Sequence, residues 1–438
     1  MQNVSLMTLQ PQKVFYIKNC KVCFSNCAKI VTLHESLFYK THTAMLETFF
    51  RTHAYLVENF NAPVRRALID NIDWSHRMIA IRGPRGVGRT SILLQFAKEF
   101  FDPRTRKCLY INTNNFYFQA RGIVDFAGEF VAAGGIVLLI DQAFKLHNWR
   151  EQLCECYHKY PLLRIVYTTT PVEETDADES EIARLSRRYV LHGFSFREFI
   201  NLQTGNDFHT FTYSDIIRDH EYIQKSILPR VQPMKYFDDY LHYGYYPFYL
   251  ENNNFTEGLL KAMNSMMEVD ILFNKQVELK YLSRIKKLLY LLAMSEDSIP
   301  NVSELAEAIN TSRATVMNYL KYLEEARLVN MVYREGETFP KKPAAVMLHD
   351  PNLMYAINAP GLNRQNIMET YLVNTLWRHH TVNRLRREGT FRIDGRTDLC
   401  VCEKSRRLKL SPETMRVVYD VEKGEQGVIP IWMFGFLY

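Results

Sequence analysis

The glycine-rich stretch "GPRGVGRTS" (residues 83–91) constrains the fold more than any other segment, because of what lies on either side of it. Met78 to Ile81 form a short apolar run before the glycine, as a buried strand does. The residues from 92 to 100 place their apolar side chains on one helical face. A strand, a tight glycine turn and a helix, in that order, predict an α/β unit.

The same alternation continues to residue 194. We predict further strands in residues 107–112, 134–142, 162–170 and 188–194, and helices in residues 44–70 and 149–160. Strands that alternate with helices indicate a parallel sheet with flanking helices, and such sheets bind ligands at the carboxyl ends of their strands. Gly83, Asp141 and Thr168–Thr170 end three of the strands, so we expect them to meet in one crevice.

The glycine loop nearly matches the phosphate-binding pattern G-x-x-x-x-G-K-[ST]. Gly83, Gly88 and Thr90 fit it, whereas Arg89 replaces the lysine. Backbone N–H groups and a helix N-terminus bind phosphate in such loops. Arginine keeps the positive charge but is planar and bulkier, so we expect triphosphate binding to be weakened or re-posed. The competing interpretation is a strand–helix turn without a ligand. The predicted nucleotide contacts are Gly83, Pro84, Arg85, Gly86, Val87, Gly88, Arg89, Thr90, Ser91, Asp141 and Thr169.

A magnesium site and the hydrolytic machinery follow from the same pattern. We expect the Thr90 hydroxyl and the Asp141 carboxylate to hold Mg²⁺. Gln142 stands where a glutamate would polarise the attacking water, and glutamine can orient a water but cannot take its proton. Arg187 is a second catalytic candidate, since it or Arg188 could contact a phosphate of its own or of a neighbouring subunit's nucleotide; the alternative is a solvated face. These departures predict slow hydrolysis or none.

Residues 303–329 have the form of a helix–turn–helix. We expect Ser303 to cap the first helix and Thr311 or Ser312 the second, and "LVNMVYREGETF" to form the strand pair of a wing. If this unit binds DNA, the groove contacts come from its second helix. Such units also serve as plain packing modules. The candidate DNA contacts are Arg313, Thr315, Asn318 and Lys321.

The predicted architecture is therefore α/β: a P-loop NTPase parallel sheet with flanking helices, then a helical winged-helix domain and a small α+β C-terminal domain. The last domain mixes a helix (366–379) with strands (390–402 and 430–438). The predicted boundaries are an N-terminal extension at 1–43, a P-loop nucleotide-binding domain at 44–205, a helical lid or connector at 206–275, a winged helix–turn–helix at 276–338 and the C-terminal domain at 339–438.

Composition sets weaker limits. The net charge of +6 permits nucleic-acid contact without requiring it. No run of about 18 apolar residues and no secretory pattern appears, so we expect a cytoplasmic protein without a membrane span. Cys20, Cys23 and Cys27, with His34 downstream, could ligate zinc; alternatively they are chance cysteines in a loosely ordered extension.

Several segments together resemble a prokaryotic ATPase family that joins an AAA-type P-loop domain to a winged helix and a C-terminal domain of uncharacterised function. The resemblance covers about residues 45–438 and is carried by "IRGPRGVGRTSILLQ", "GGIVLLIDQ", "LSRRYVLHGFSFREFI", "YLHYGYYPFYLE", "VMLHDPNLMYAI" and "IPIWMFGFLY". It implies an ATP- and Mg²⁺-binding core in which Gly83, Gly88, Thr90 and Asp141 match the family's motif positions. Arg89 and Gln142 depart from that pattern.

The C-terminal domain of that family resembles a restriction-endonuclease-like fold. A nuclease site would need clustered acids and a lysine around Mg²⁺. The candidates are Glu369, Asp398, Glu403 and Lys404. Adjacent Glu403 and Lys404 would point to opposite faces of a strand, so we interpret the domain as non-catalytic.

The leading functional hypothesis is an ATP-binding AAA-type protein with impaired or slow hydrolysis, acting as a nucleotide-dependent switch. One alternative is a nucleotide-independent scaffold or DNA-binding regulator on a relic ATPase fold. Another is an active ATPase in which arginine substitutes adequately for lysine. A homo-oligomer or a protein partner fits each of the three hypotheses.

Overall fold

The computed structural model describes residues 44–173, 179–251, 254–295 and 298–438. The expected extension at 1–43 lies outside the described residues, and with it the candidate zinc ligands Cys20, Cys23 and Cys27.

The first layer of the fold is a five-stranded sheet in which every neighbouring pair is parallel, with strand order β2-β3-β4-β1-β5. This confirms the predicted α/β sheet. The strands are β1 (Met78–Arg82), β2 (Cys108–Asn112), β3 (Val137–Asp141), β4 (Arg164–Thr169) and β5 (Arg187–Val190). The helices are α1 (44–59), α2 (Leu68–Asn71), α3 (Arg89–Phe100), α4 (Phe116–Arg121), α5 (Val124–Ala132), α6 (Trp149–Lys159), α7 (Glu181–Leu185) and α8 (Phe196–Thr204).

The register of this sheet places the carboxyl ends of its strands at one edge. Arg82 pairs with Thr169 of β4 and with Val190 of β5. Asn112 at the end of β2 pairs with Asp141 at the end of β3. Every residue of β1 and β3 is buried, as the apolar runs predict for a sheet covered on both faces. The predicted helix at 44–70 is interrupted between residues 59 and 68, a stretch that contains Pro63, which lacks the N–H that a continuing helix would use.

The next segment is helical, as expected for residues 206–275. It contains α9 (Tyr213–Ile227), α10 (Met234–Asp239), α11 (Phe255–Ser265) and α12 (Leu272–Asn274), and two π-helical turns at Tyr240–Gly244 and Met266–Ile271.

Three helices and a strand pair follow. They are α13 (Leu282–Met294), α14 (Val302–Ala308), α15 (Arg313–Glu325), β6 (Val329–Val332) and β7 (Ala345–Leu348). Ser312 caps α15 by accepting the N–H of Thr315, as expected. The cap of α14 is Asn301 and not Ser303, because the Asn301 side chain accepts the N–H groups of Ser303 and Glu304.

The expected wing differs from the structure in its second strand. β6 pairs antiparallel with β7, whereas we predicted both strands within "LVNMVYREGETF". Residues 334–343 are polar and largely exposed, while all of β7 is buried. A strand needs an apolar face, and the chain supplies one only after residue 344. The pair therefore spans the boundary that we expected after residue 338.

The C-terminal sheet is mixed. Its order is β12-β11-β10-β9-β8, with β10, β11 and β12 parallel to one another and β8 and β9 antiparallel. Its elements are α16 (Pro351–Asn358), α17 (Arg364–Leu376), β8 (Val382–Arg384), β9 (Thr390–Ile393), β10 (Thr397–Cys402), β11 (Met415–Val418) and β12 (Val428–Pro430). The strand predicted at 430–438 is wrong: β12 ends at Pro430, and Ile431–Phe436 form buried 3₁₀ turns. Proline has no N–H to extend the ladder.

The end of the chain packs against the first domain. The Phe196 ring of α8 lies edge-on to Phe436, with centroids 6.4 Å apart. Ser195 Oγ and Arg197 Nε both donate to the main-chain oxygen of Tyr438, at 2.9 and 2.6 Å. The C-terminal part is therefore attached close to the edge of the first sheet.

Candidate nucleotide-binding site

Asp141 is the centre of a hydrogen-bond network at the carboxyl edge of the first sheet. Its side chain accepts from Thr90 Oγ1 (2.7 Å), Tyr110 OH (3.0 Å) and Thr168 Oγ1 (2.6 Å). Asp141 is 1% exposed. All three donors are neutral hydroxyls. The two predicted magnesium ligands, Thr90 and Asp141, are therefore adjacent, at the start of α3 and at the end of β3.

The loop has the backbone conformation that its glycines allow. Gly88 has φ 95°, a left-handed conformation that residues with a side chain rarely adopt, and α3 begins at the next residue. At Gly83 a Cβ would lie 2.4 Å from the Leu191 carbonyl oxygen, so only glycine fits between β1 and the end of β5. These positions leave the N-terminal amides of α3 at the sheet edge, where a phosphate would bind.

Arg89 extends across the edge of the sheet. Its Nη1 donates to the carbonyl oxygen of Thr169 at 2.5 Å. Burial lowers the pKa of its guanidinium, and the nearby Asp141 and Asp270 carboxylates oppose that shift. Arginine is not deprotonated in proteins, so the charge stays at the position of the usual lysine. The remaining guanidinium N–H groups can still donate to an anion.

The helical segment covers the loop. Arg85 forms a two-point ion pair with Asp270, with Nη2–Oδ1 at 2.7 Å and Nε–Oδ2 at 3.0 Å. Asp270 is 3% exposed, in the π-helical turn Met266–Ile271. On the same side the Phe248 ring approaches Gly86 so closely that a Cβ there would lie 2.8 Å from it. Phe248 and Asp270 therefore form the lid side of the site.

Arg66 supports the loop from outside. Its Nη1 donates to the Val87 carbonyl (2.9 Å) and its Nη2 to the His192 carbonyl (2.6 Å), while Nε contacts Glu198 (3.2 Å). Burial alone would raise the pKa of Glu198, but the Arg66 charge and the backbone N–H of Ser195 outweigh it and lower that pKa. This buried ion pair links the loop to the "SFREF" segment, so the segment contributes to loop position.

Neither of the two hydrolytic candidates, Gln142 and Arg187, has a carboxylate that could take a proton from water. Gln142 follows β3 in a left-handed conformation (φ 58°), and its N–H donates to Thr168 Oγ1 at 2.8 Å. The hydroxyls of Thr169 and Thr170 are buried and have no hydrogen-bond partner among the described residues. They are donors and acceptors that a bound phosphate or its water could use.

Arg187 lies away from this edge. It begins β5, where its Cα partner is Ile79, and it is exposed. The carboxyl end of β5 is three residues further on, about 10 Å along the strand. The structure therefore does not bring Arg187 together with Thr90, Asp141 and Gln142.

The candidate DNA contacts are divided between exposed and packed positions. Arg313 and Asn318 are exposed on α15, whereas Thr315 and Lys321 are half-buried. Lys321 pairs with Glu324 at 2.9 Å, where α15 faces the first sheet. DNA binding by this helix stays a prediction.

The candidate nuclease acids do not converge. Glu369 forms a buried ion pair with Arg384, and Asp398 pairs with Arg392 at 2.8 Å. Glu403 and Lys404 follow β10 in a turn and are not on a strand, and the Lys404 N–H donates to Asp420. The alternation argument that we applied to them was therefore wrong, although they still do not join Glu369.

Sequence reasoning missed four residues of the site. These are Arg66, Tyr110, Asp270 and Phe248, each of which contacts the loop or Asp141. Tyr110 lies within a predicted strand at the position before the sheet edge, which was a usable signal. Arg66 and Asp270 are 21 and 185 residues from their partners, and no local pattern marks such contacts.

The described part of the chain contains neither a cluster of metal-binding side chains nor a membrane-spanning helix. No group of three or more His, Cys, Asp or Glu side chains there could hold a metal ion. No helix in the described ranges is long and apolar enough to cross a membrane. A magnesium ion beside Thr90 and Asp141 would take its other ligands from phosphate and water, as is usual for Mg²⁺.

Comparisons with known proteins agree with this geometry. Residues 75–200 match a family model described as an AAA domain, and residues 234–346 match a domain of unknown function (DUF8612). The uncharacterized protein MJ1637 of Methanocaldococcus jannaschii is 21% identical over 274 residues, which cover 59% of this chain and 57% of that protein. The chain thus spans little more than half the length of this relative.

Two solved structures are also similar. The S. cerevisiae Hsp104–ADP complex (TM-score 0.26, 13% identity) covers 64% of this chain and 39% of that one. The C. elegans PCH-2 structure (TM-score 0.23, 12% identity) covers 65% of this chain and 67% of that one. The matched family model and the strand–loop–helix geometry around Asp141 coincide in the same residues. Residues 75–200 are therefore an AAA-type P-loop domain.

Proposed function

We propose that this protein binds ATP with Mg²⁺ at the edge of the first sheet and hydrolyses it slowly or not at all, so that occupancy acts as a switch. The observation that carries the proposal is the 2.7 Å hydrogen bond between Thr90 Oγ1 and the Asp141 carboxylate. A hydroxyl at the start of α3 and a buried carboxylate without a salt bridge among the described residues match the pair that holds Mg²⁺ in P-loop proteins.

Each residue has a distinct task in this proposal. The amides of the loop and the Arg89 guanidinium would hold the phosphates, and Thr90 and Asp141 would hold the metal. Mg²⁺, when bound, supplies neutralisation of phosphate charge. Gln142 would orient a water but has no basic group to take its proton. Slow turnover follows from that residue and from the anchoring of Arg89 to Thr169.

The switch is supported by the contacts of the loop. Arg85 links it to the turn at Met266–Ile271, and Arg66 links it to the segment that holds Tyr438. A phosphate that displaced Arg85 or moved Val87 would change both contacts.

Isothermal titration of the full chain with ATP, with and without Mg²⁺, tests the binding. We expect saturable Mg²⁺-dependent binding that Arg89→Ala weakens at least tenfold, while Arg184→Lys, an exposed arginine of α7, leaves it unchanged. No binding at millimolar ATP overturns the proposal.

Phosphate release tests the switch. We expect wild-type turnover far below about one per second, an ordinary enzyme rate, and an increase in the double variant Arg89→Lys/Gln142→Glu. If the wild type already reaches about one per second, the protein is an active ATPase and the switch is excluded.

A further inference from the structure

A cavity of about 890 Å³ lies between the edge strand β5, the C-terminal end of α15 and the end of the chain. This volume is typical of sites for ligands of nucleotide size. Of the residues from 84 to 91, only Pro84 lines it, and neither Asp141 nor Gln142 does. The cavity is therefore not the phosphate-loop site.

The loop and the cavity are separated by packed side chains. Arg66 reaches Val87 with one nitrogen and His192 with another, and its ion pair with Glu198 closes the remaining space. Gly83 and Leu191 are in close contact beside it. A ligand in the cavity would consequently meet a wall made from Arg66 and Glu198 before it met the loop.

The lining of the cavity is strongly basic. Among the described residues that line it, six cationic side chains face three carboxylates: Arg66, Arg82, Arg188, Lys321, Arg327 and Arg378 against Glu198, Glu324 and Glu325. Each of the three carboxylates already has a cationic partner. These partners are Arg66 for Glu198, Lys321 for Glu324 and Lys275 for Glu325, at 3.2, 2.9 and 2.6 Å.

Three histidine rings, His192, His349 and His379, line this cavity. Burial lowers the pKa of His192 and of His349 well below the ordinary value, and the charges of Arg378 and Arg327 lower both further. The pKa of His379 is also lowered, first by burial and then by Arg378. Burial and the neighbouring arginines therefore both disfavour the charged form of these rings.

Two neighbouring hydrogen-bond donors of the wall are unsatisfied. Nε1 of Trp377 and Nε of Arg378 are buried and have no acceptor among the described residues. The Arg327 guanidinium lies 4.0 Å from the centre of the Trp377 ring, and that of Arg378 lies 4.6 Å from the Tyr438 ring. Among the described residues the lining therefore has more cations than carboxylates and two unsatisfied donors, and a phosphate group supplies negative charge and acceptor oxygens together.

We infer that this cavity is a second anion site, which binds a phosphate-bearing small molecule independently of the phosphate loop. Arg378, Arg327 and Arg188 would contact the phosphates, and the Trp377 N–H would donate to one of them. Because its walls come from β5, α15 and the chain end, the ligand would hold these three parts together.

The test is a titration of the full-length Arg89→Ala protein, without Mg²⁺ and at 150 mM salt, with inorganic tripolyphosphate and, separately, with ADP. We expect at least one of them to bind with a stoichiometry of one. If only tripolyphosphate binds, the ligand is recognised through its phosphates alone; binding of ADP shows that the cavity also admits an organic phosphate. Absence of binding by both at millimolar concentration overturns the inference.

Variants then locate the binding. In the Arg89→Ala background, Arg378→Gln should weaken it at least tenfold, Arg378→Lys less, and Trp377→Phe about threefold through loss of one donor. Arg386→Gln, an exposed arginine outside the cavity, is the control. Circular dichroism verifies folding, and if Arg378→Gln does not fold, Trp377→Phe decides the matter. Unchanged binding in the folded Arg378 and Trp377 variants places the anion elsewhere and overturns the inference.

The two proposals fail separately. If Mg²⁺-dependent ATP binding is absent in the wild type but the Arg89→Ala protein binds tripolyphosphate, only the proposed function fails. If the wild type binds one ATP and both Arg89→Ala and Arg378→Gln abolish it, the cavity is part of the same nucleotide site and the second site does not exist.

Discussion

The two domains that contain the five-stranded sheets stabilise their carboxylates with different partners. In the first sheet Asp141 is held by three hydroxyl groups, from Thr90, Tyr110 and Thr168. In the C-terminal domain Glu369 of α17 and the half-buried Asp398 of β10 are each paired with an arginine, Arg384 and Arg392. Asp141 has no salt bridge among the described residues, whereas the other two carboxylates are each paired with a guanidinium.

This difference explains why only one of the two sheets carries a metal-binding candidate. A hydroxyl can exchange its hydrogen bond for a shared metal ion at little cost, and Thr90 itself would be a ligand. Removing a carboxylate from a buried arginine leaves an uncompensated charge. Glu369 and Asp398 therefore stabilise the fold through these ion pairs. Among the described residues, no carboxylate on the C-terminal sheet is left to bind the metal that a nuclease would need.

The largest expected effect concerns the buried ion pair between Glu369 of α17 and Arg384 of β8. Glu369→Ala leaves the Arg384 guanidinium, with 6% of its side chain exposed, without its carboxylate. We expect the free energy of unfolding to fall by about 3–5 kcal/mol, measured by urea denaturation. Glu369→Leu with Arg384→Met should recover most of the loss. A single-variant loss below about 1 kcal/mol would show that the pair is not buried.

A buried neutral histidine packs against the first sheet, and this predicts that the stability of the fold falls in acid. His53 of α1 is 1% exposed, its Nδ1 accepts the Tyr110 N–H at 3.0 Å, and burial lowers its pKa to about 4. The unfolded chain binds this proton at the ordinary pKa of 6.5, so the full stability is present above pH 6.5 and falls as pH drops towards 4. The loss from this residue is about 3 kcal/mol.

His53→Asn keeps an acceptor for Tyr110 but does not titrate. We expect the stability of this variant to change less than that of the wild type between pH 6.5 and 4, by about that amount. Parallel curves for the two proteins would mean that His53 takes up its proton without unfolding. Chemical denaturation at several pH values gives the comparison.

The carboxylate of the first sheet should matter for ligand and not for fold. Asp141→Asn keeps the shape, and its amide oxygen can still accept from Thr90 and Tyr110, but its NH2 group cannot accept from Thr168 and the charge is removed. We expect Mg²⁺-dependent ATP binding to weaken ten- to a hundredfold, about 1.4–2.7 kcal/mol. Titration calorimetry in Mg²⁺ and in EDTA separates the metal-dependent part; equal losses in both would argue against a metal role.

The smallest expected effect is the matched control in the other sheet. Asp398→Asn removes a carboxylate that is already paired with Arg392. We expect the dissociation constant of Mg²⁺–ATP to change by less than about twofold, because no step of the proposed site involves this residue. A larger change would connect the two sheets and remove the contrast between them.

The local pattern of the sequence was sufficient for the first domain. Apolar runs at 78–81 and 137–140 and the glycines at 83 and 88 predicted the strands, the loop and the edge that Asp141 occupies. Each of these signals spans a few residues, and backbone geometry follows directly from them. The second wing strand was misplaced because the polar stretch at 334–343 hides where pairing resumes.

Contacts between distant residues were not predictable in this way. Arg187 adjoins the strand predicted at 188–194, but the register of β5 places it at the end of the sheet opposite the site. Arg66, Asp270, Arg327 and Trp377 acquire their surroundings from elements far along the chain. A single sequence contains no local signal for such partners, since long-range packing and electrostatics depend on the whole fold.

The sequence by itself determined that a phosphate loop, a terminal aspartate and an arginine at the lysine position belong to one sheet edge, because strand, turn and helix propensities act over a few residues. The tertiary structure decided what holds each charge. Hydroxyls hold Asp141, arginines hold the C-terminal acids, and six cations gather around a cavity that three distant segments enclose. Charge compensation is a property of position in space, and only the folded chain sets those positions.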